Sequence, residues 1–506
     1  MNLKGLITVA LLLAAALGAA GQEGYRMSNN AFLDTFKGHT ASASLDFRKD
    51  DGGLISLSQS PDSYLTGAST QSWYRVSDRL GFYGKMSWQY FQGKDMGGQI
   101  LMDPDYNPVN FLENTLATKG VKKKETYCLG GGLSWRLGQR WALGAGISYT
   151  SADQTKIKDP RFSNVWMDVD VHVGTMFRAG EKLLLGASLT YRNTIEQLRG
   201  GIYGTTDKQY YVSTDKGGFM GTVAELTGDY NYVPVSETRP MINNFYGVSL
   251  QTAMDGVFTS ELWIRKRDGY YGRRSSTKAI YFVFGGLEGG YSGRVSMPGG
   301  HSLYLDVKAE TLSNAENKFR YVTPSGKNTV VDYTGQDQVS RRFNLSGLLG
   351  YSWHGRNLSA GLSLDGRTGR EKTTLYPLYR IRNVSSAGAD IWGRYSFSVL
   401  GTYSNVSVEA HAMAGGGFGN PAQDGTLASA SSTAIRSFDD YLYRQFEYDT
   451  AKRAGACLSV KYTMPAGRGF TPYVGVSDSY TTLLSAPEFL DGASRNTATI
   501  TLGCNF

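Results

Sequence analysis

Residues 125–150 read Glu125-Thr126-Tyr127-Cys128-Leu129-Gly130-Gly131-Gly132-Leu133-Ser134-Trp135-Arg136-Leu137-Gly138-Gln139-Arg140-Trp141-Ala142-Leu143-Gly144-Ala145-Gly146-Ile147-Ser148-Tyr149-Thr150. Two runs alternate in polarity about the tight Gly138-Gln139 turn, as strands with one apolar face must. In the second run Trp141, Leu143, Ala145, Ile147 and Tyr149 oppose Arg140, Ala142, Gly144, Gly146, Ser148 and Thr150. Tyr127 and Trp135 stand eight residues apart on one strand, and Trp141 and Tyr149 eight apart on the next. At roughly 3.3 Å per residue and a tilt of about 40°, that separation covers on the order of 20 Å along a membrane normal, close to the height of an apolar band between aromatic girdles.

The same pattern recurs along the chain. Leu183, Leu185, Ala187, Leu189 and Tyr191 alternate with small or charged residues, and so do Val165, Met167, Val169, Val171, Val173 and Phe177. The polar face is crowded with Gly, Ala and Ser interrupted by charges, which suits a confined, hydrated interior better than open solvent. Eighteen such segments can be counted: 41–49, 68–77, 80–93, 125–137, 140–152, 163–178, 182–194, 244–254, 256–267, 279–296, 301–314, 339–354, 357–369, 386–399, 402–415, 450–464, 469–481 and 494–506. The weakest is 244–254, and the loop before it has room for another strand pair, so sixteen to twenty strands are expected. Tight connections such as Asp78-Arg79, Ala179-Gly180-Glu181, Asp255-Gly256, Gly355-Arg356 and Ala466-Gly467-Arg468 alternate with long polar ones, the largest near 94–124, 195–243 and 416–449. The expected fold is all-β: a single transmembrane antiparallel β-barrel with short periplasmic turns and long extracellular loops.

The composition agrees. Of 506 residues, 63 are Gly and 33 Tyr, and only 19% are charged, against roughly 25% in an ordinary soluble domain. Residues 6–20 form the one long apolar run, preceded by Lys4 and followed by Gly18-Ala19-Ala20-Gly21. This reads as a signal peptide over 1–21, cleaved before Gln22, leaving a short periplasmic segment, 22–40, and a barrel over 41–506. Cys128, Cys457 and Cys504 are too few and too scattered for a disulfide framework or a metal site, and neither metal nor cofactor is expected. The net charge of +8 is dispersed, with no basic block longer than Lys122-Lys123-Lys124, and export argues against a nucleic-acid partner.

The last ten residues, Thr497-Ala498-Thr499-Ile500-Thr501-Leu502-Gly503-Cys504-Asn505-Phe506, alternate to the terminal aromatic. This resembles the closing strand of bacterial outer-membrane β-barrels, and the resemblance implies that Phe506 belongs to the signal read by the barrel assembly machinery. Gly81-Phe82-Tyr83-Gly84-Lys85-Met86-Ser87-Trp88, Met102-Asp103-Pro104-Asp105-Tyr106 and Lys158-Asp159-Pro160-Arg161 together resemble an uncharacterised family of Bacteroidota outer-membrane barrel proteins. That resemblance runs over most of the mature chain and implies location and fold without a substrate. Residues 22–40 are too short for the plug domain of a TonB-dependent transporter, which excludes an energised receptor.

By register the inward charges are Asp46, Arg48, Lys85, Arg136, Asp168, Asp170, Arg178, Arg192, Glu261, Arg265, Asp306, Lys308, Glu310, Arg342, Asp365, Arg367, Arg394, Glu409, Arg453 and Lys461, with His172 and His411 among them. Two readings compete: a water-filled lumen whose charges select solutes, or side chains that pair and fill the bore. Inward Trp166, Phe282, Phe284 and Trp392 warn of obstruction, and loop 195–243 could fold inward. The expected function is a passive channel for small polar or anionic solutes in the outer membrane, with lipid around it. The alternative is an accessory barrel whose loop tyrosines (Tyr210-Tyr211, Tyr230-Asn231-Tyr232, Tyr441-Leu442-Tyr443) dock a surface lipoprotein or glycan. A hydrolase is the minor alternative. His172 beside Asp168 and Asp170, and His411 beside Glu409, are two residues apart, about 6.6 Å along a strand, so the pairing reads as incidental. No nucleophile motif accompanies them, and Cys128 and Cys457 lie on distant strands.

Overall fold

β-branched and aromatic residues at period two favour pleated strands, and tight Gly-containing turns let each strand return beside the last. A computed structural model describes residues 28–102, 107–113, 118–203, 209–226, 230–233, 239–254, 256–326, 328–399, 404–428, 439–464 and 469–506. Eighteen strands build one wall: β1 (His39–Asp51), β2 (Asp62–Ser77), β3 (Leu80–Met96), β4 (Gly120–Arg136), β5 (Trp141–Lys156), β6 (Arg161–Arg178), β7 (Leu183–Ile202), β8 (Pro240–Met254), β9 (Phe258–Gly272), β10 (Ile280–Met297), β11 (His301–Val322), β12 (Val330–His354), β13 (Leu358–Leu375), β14 (Leu378–Val399), β15 (Ser404–Thr426), β16 (Arg453–Thr463), β17 (Thr471–Leu483) and β18 (Ser494–Asn505). Each pairs antiparallel with its chain neighbour, and β18 pairs back onto β1 from Ser42 opposite Asn505 to Asp51 opposite Asn496, closing the barrel. A closed wall satisfies every backbone group without an edge, which is what a bilayer demands of strands.

The outer face is apolar. Leu45, Leu189, Leu250, Ile264, Leu287 and Ile391 all point out and remain about half exposed or more. So large an uncovered apolar surface belongs in lipid. Trp135 and Trp141 face outward at the short-turn end and Tyr127 at the loop end, so this is an outer-membrane β-barrel. Among the described residues no helix is long and apolar enough to cross a membrane. Phe506 stands at the seam, its N–H donating to the Ala41 carbonyl at 2.8 Å and its ring 5.6 Å from Phe470.

Each of the eighteen segments read from period corresponds to one strand, but several strands run further on the loop side. β11 continues to Val322 rather than stopping at 314, β12 begins at Val330 rather than 339, and β14 at Leu378 rather than 386. Beyond the lipid the outer face need not be apolar, so the period fades while the ladder continues; Lys318–Asp337 and Arg320–Asp332 ion pairs, 2.6 and 2.9 Å, decorate the extension. The loop before β8 does hold a strand pair, Tyr210–Asp215 with Gly221–Leu226, but the pair joins Asn110–Glu113 in a separate three-stranded sheet, not the wall. Tyr230–Val233 extends the ladder at the end of β7.

The segment expected to lie in the periplasm is placed differently. Its described part, residues 28–38, packs inside the bore as a 3-10 turn over Asn30–Thr35, and β1 starts at His39. The leader 1–21, residues 103–106, Asp255 and the 466–468 turn lie outside the described residues, as do the side chains of Tyr230-Asn231-Tyr232.

Candidate functional site

The loops fill the extracellular half of the bore. Ile100, Leu101, Val109 and Phe111 of one loop and Val212 and Leu226 of another bury against inward Phe162, Leu198, Phe282 and Phe284. The hairpin tip beyond Asp215 crosses from β7 to the wall formed by β11–β14. There Lys216 Nζ pairs with Glu316 at 2.7 Å, the Gly218 N–H donates to Glu371 at 3.1 Å, and Arg380 donates to the Gly218 carbonyl at 3.2 Å. Helix α1 (Asp439–Thr450) lies over this hairpin, with Tyr441 and Leu442 against Leu57, Leu112 and Phe219. Its Asp449 reaches the inward Arg367 and Arg382 at 3.1 and 3.4 Å. The loop after β4's predecessor is anchored by a fully buried Lys156–Glu113 ion pair. Asp215, half-buried at the base of the tip, has its carboxyl raised to about 7 by burial and then by the Glu371 carboxylate, against donation from the Gly217 and Phe219 N–H groups and the Arg382 charge.

In the periplasmic half, residues 28–38 lie along the inner face of β2–β9. The buried Asp34 carboxylate accepts from three arginines: Arg75 at 3.1 Å, Arg136 at 2.9 Å and Arg178 at 2.6 Å. Asn29 Nδ2 donates to the carbonyls of Thr175 and Ala187 and to Gln251, Asn30 to the Ala145 carbonyl, and Ser28 to Glu261. Phe32 is wholly buried among Ala142, Met176, Leu184 and Ala253. Glycine makes the bed: a Cβ at Gly144 would fall on the Ala31 backbone nitrogen, and one at Gly174 on Asn29. The small inner face read from sequence as a hydrated surface is, on these strands, a seat for the chain's own N-terminal segment.

The remaining inward charges pair mostly between adjacent strands. Arg192 pairs with Asp168 at 2.6 Å, and Asp170 lies 3.7 Å from His172. Arg265 and Lys308 share Glu288 at 3.0 and 3.3 Å, while Lys308 and Arg342 approach Glu310 at 3.6 and 3.4 Å. Arg394 holds Glu409, Arg48 pairs with Asp50 at 2.7 Å, and Arg453 donates to the Tyr448 carbonyl. Asp46 accepts from Thr501 at 2.7 Å. Lys461 sits 3.8 Å over the Tyr473 ring and Lys85 lies along Gly130. Among the described residues, no opposite charge lies within 4.0 Å of Lys85, Asp306 or Asp365. The sequence pattern does not mark Glu288 and Asp390, whose partners are set by strand register, nor Lys156 and Glu113, which a loop strand brings together, nor Asp34, which lies outside any strand.

His411 is engaged directly by two carboxylates, so its pairing is not incidental. Its Nε2 lies 2.8 Å from Glu409 and its Nδ1 3.1 Å from Asp390 on the next strand. Cα spacing of two residues does not limit how far a glutamate side chain leans, so the Glu409 contact is direct. Cys457 is not remote either: it is the register partner of His411 on β16. The arrangement nevertheless lacks a free base, because an imidazole donating to carboxylates from both nitrogens has no lone pair left for a thiol proton. Trp392 lies 6.5 Å from the imidazole and completes a polar, aromatic-backed wall on β14–β16.

Residues 31–506 match the model of a family of unknown function, DUF6850. The chain belongs to this family. No curated protein is similar to this DUF6850 member in sequence. Among solved structures it is similar to the siderophore receptor PiuA of Acinetobacter baumannii, at 7% identity and a TM-score of 0.39 over 92% of this chain and 82% of that one. It is also similar to a mutant of the ferric enterobactin receptor PfeA of Pseudomonas aeruginosa, at 10% identity and 0.40 over 93% and 81%, and to the ferric-catecholate import receptor Fiu of E. coli K12, at 7% and 0.37 over 91% and 81%.

Proposed function

We propose that this DUF6850 barrel is a gated outer-membrane conduit for small polar solutes, shut at rest by segments of its own chain. One observation carries the reading: where the tip of the hairpin that crosses the bore meets the opposite wall it is held by exchangeable polar contacts, Lys216–Glu316, Gly218–Glu371 and Arg380–Gly218, while its apolar Phe219 packs on loop and helix residues of the cap. Such contacts can be traded for water or for a solute when the hairpin lifts, at a modest net cost of about 0.5–3 kcal/mol each. An eighteen-strand wall is wide enough for an aqueous path once cleared. Because inward cations and carboxylates pair on neighbouring strands, the wall favours polar solutes generally over anions alone. In a planar bilayer, the intact protein should conduct rarely, and removal of residues 210–226 with residues 28–38 should give stepwise conductance. A folded, heat-modifiable double deletion that still seals the membrane would overturn the conduit.

A second reading rests on the stacked Tyr443–Phe489 pair, 5.3 Å apart and 38% exposed on each side, which presents an aromatic platform at the cap. It fits docking of a surface lipoprotein or glycan. Mild-detergent copurification that depends on Tyr443 tests it.

A further inference from the structure

The rim between β8 and β12 carries a pocket of about 280 Å3 that the conduit does not use. Arg239, Arg273, Thr277, Lys278 and Thr329 line it together with Tyr281 and Tyr321, and no carboxylate is among the described lining residues. Among the described residues neither Arg273 nor Lys278 has an acidic partner within 4.0 Å. The Arg239 guanidinium lies 4.6 Å over the Tyr281 ring, and Arg274 lies 5.4 Å over Tyr270. The turn that brings the cations together is itself braced: the Arg273 N–H donates to the Ala279 carbonyl at 3.1 Å and the Lys278 N–H to Ser275 Oγ at 3.0 Å. Elsewhere in the cap cations meet carboxylates, as Arg444 and Lys119 meet Asp491 and Arg380 meets Asp424. Arg273 and Lys278 line one pocket with no such carboxylate among the described residues, an arrangement whose mutual repulsion a bound anion relieves.

The height of the pocket narrows the ligand. On the outward face of β9, Lys266 and Asp268 form an exposed ion pair at 3.0 Å. Such a pair cannot lie in hydrocarbon, so the apolar layer ends at or below it. Tyr270 and Arg273 follow on the same chain, and at about 3.3 Å per residue on a strand tilted about 40° they stand on the order of 10 and 18 Å higher. That is the level of headgroups and their first sugars. Tyr321, 53% exposed, offers a ring face for a sugar, and Tyr281 backs the Arg239 guanidinium, while the cations offer charge-assisted donors for a phosphate. We propose that this rim pocket binds a phosphorylated sugar, the chemistry presented by glycolipid headgroups of the outer leaflet.

The test uses the full-length protein in mild detergent with three probes: diphosphorylated lipid A, glucose 1-phosphate and inorganic phosphate. Binding is followed by native mass spectrometry and by the temperature at which heat-modifiability is lost. The proposal expects saturable lipid A binding that falls about tenfold or more in R273A/K278A and is retained in K318A, which removes an exposed rim cation outside the pocket. If the alanine pair fails to fold, R273Q/K278Q replaces it, with heat-modifiability as the criterion of folding. Preference for lipid A over glucose 1-phosphate supports a membrane source, and equal binding of the two supports a soluble one with the same chemistry. Binding of inorganic phosphate as tight as either sugar phosphate, or lipid A binding unchanged in the folded variants, overturns the proposal.

Discussion

Asp34→Asn is the sharpest perturbation of the N-terminal seat. In the native protein Oδ1 accepts from Arg75 and Arg136 and Oδ2 from Arg136 and Arg178, at 2.6–3.1 Å. The amide keeps one acceptor, turns an N–H2 group toward the guanidinium groups and removes the negative charge that the three arginines share. Removing one partner of a buried pair costs about 3–5 kcal/mol. The arginine side chains are 14–30% exposed, so water recovers part of that, and about 2–3 kcal/mol is the better expectation. The undocked fraction of residues 28–38 should therefore rise roughly 30- to 150-fold, with the buried Phe32 still contributing about 2–3 kcal/mol to residual docking. Hydrogen exchange read by mass spectrometry on the intact barrel measures this directly, because the Phe32 and Phe36 amides are bonded within the segment. Exchange of 28–38 that matches the native protein, in a variant whose wall strands stay protected, would refute the claim that the arginine cluster holds the segment.

Gly144→Val should expel the same segment by sterics alone, since its side chain falls on the Ala31 backbone. Limited proteolysis should then cut near residues 28–38 while heat-modifiability is retained. Lys156→Met strands the buried Glu113 carboxylate and should loosen loop 97–119 by about 3–5 kcal/mol; adding Glu113→Gln should restore much of the loop's exchange protection. Asp215 gives a pH dependence of definite sign. Its folded carboxyl titrates near 7 and its unfolded one near 3.8, with burial the chief cause and Glu371 the next. The folded hairpin thus holds more protons across that window, so its docking is strongest at low pH, weakens as pH rises toward 7 and levels off above. Glu371, Arg382, Lys216, Glu316, Arg380 and Asp424 face or flank the tip and set the background; Asp215→Asn should flatten exchange of residues 210–226 between pH 4 and 7.

The wall was legible because a membrane enforces period two for as long as lipid touches it. Trp135, Trp141 and Tyr127 mark where that enforcement ends, and past them the sequence loses the signal although β11, β12 and β14 continue. The inner face was legible as small and charged but not as occupied. Nothing local links Lys216 to Glu316 or Asp34 to Arg178; these contacts join residues about a hundred positions or more apart and depend on how loops and terminus fold back. Inward parity could have found Glu288 and Asp390, each beside an outward apolar residue, Leu287 and Ile391. At His411 the strand rise is no guide, because the reach of the Glu409 side chain sets the contact.

The N-terminal segment also has a mechanical meaning. From Arg75 on β2 to Glu261 on β9, one short stretch of chain is tied to eight successive strands on the concave side. It works as a chord drawn across an arc: the arc cannot flatten or widen without stretching the chord. Nearly half of the barrel's circumference thus has its curvature set from within, by a piece of chain that directly precedes β1. Since the seam lies between β1 and β18, that half can acquire its final bend before the last strand arrives, and the closing strand meets an edge already curved to receive it.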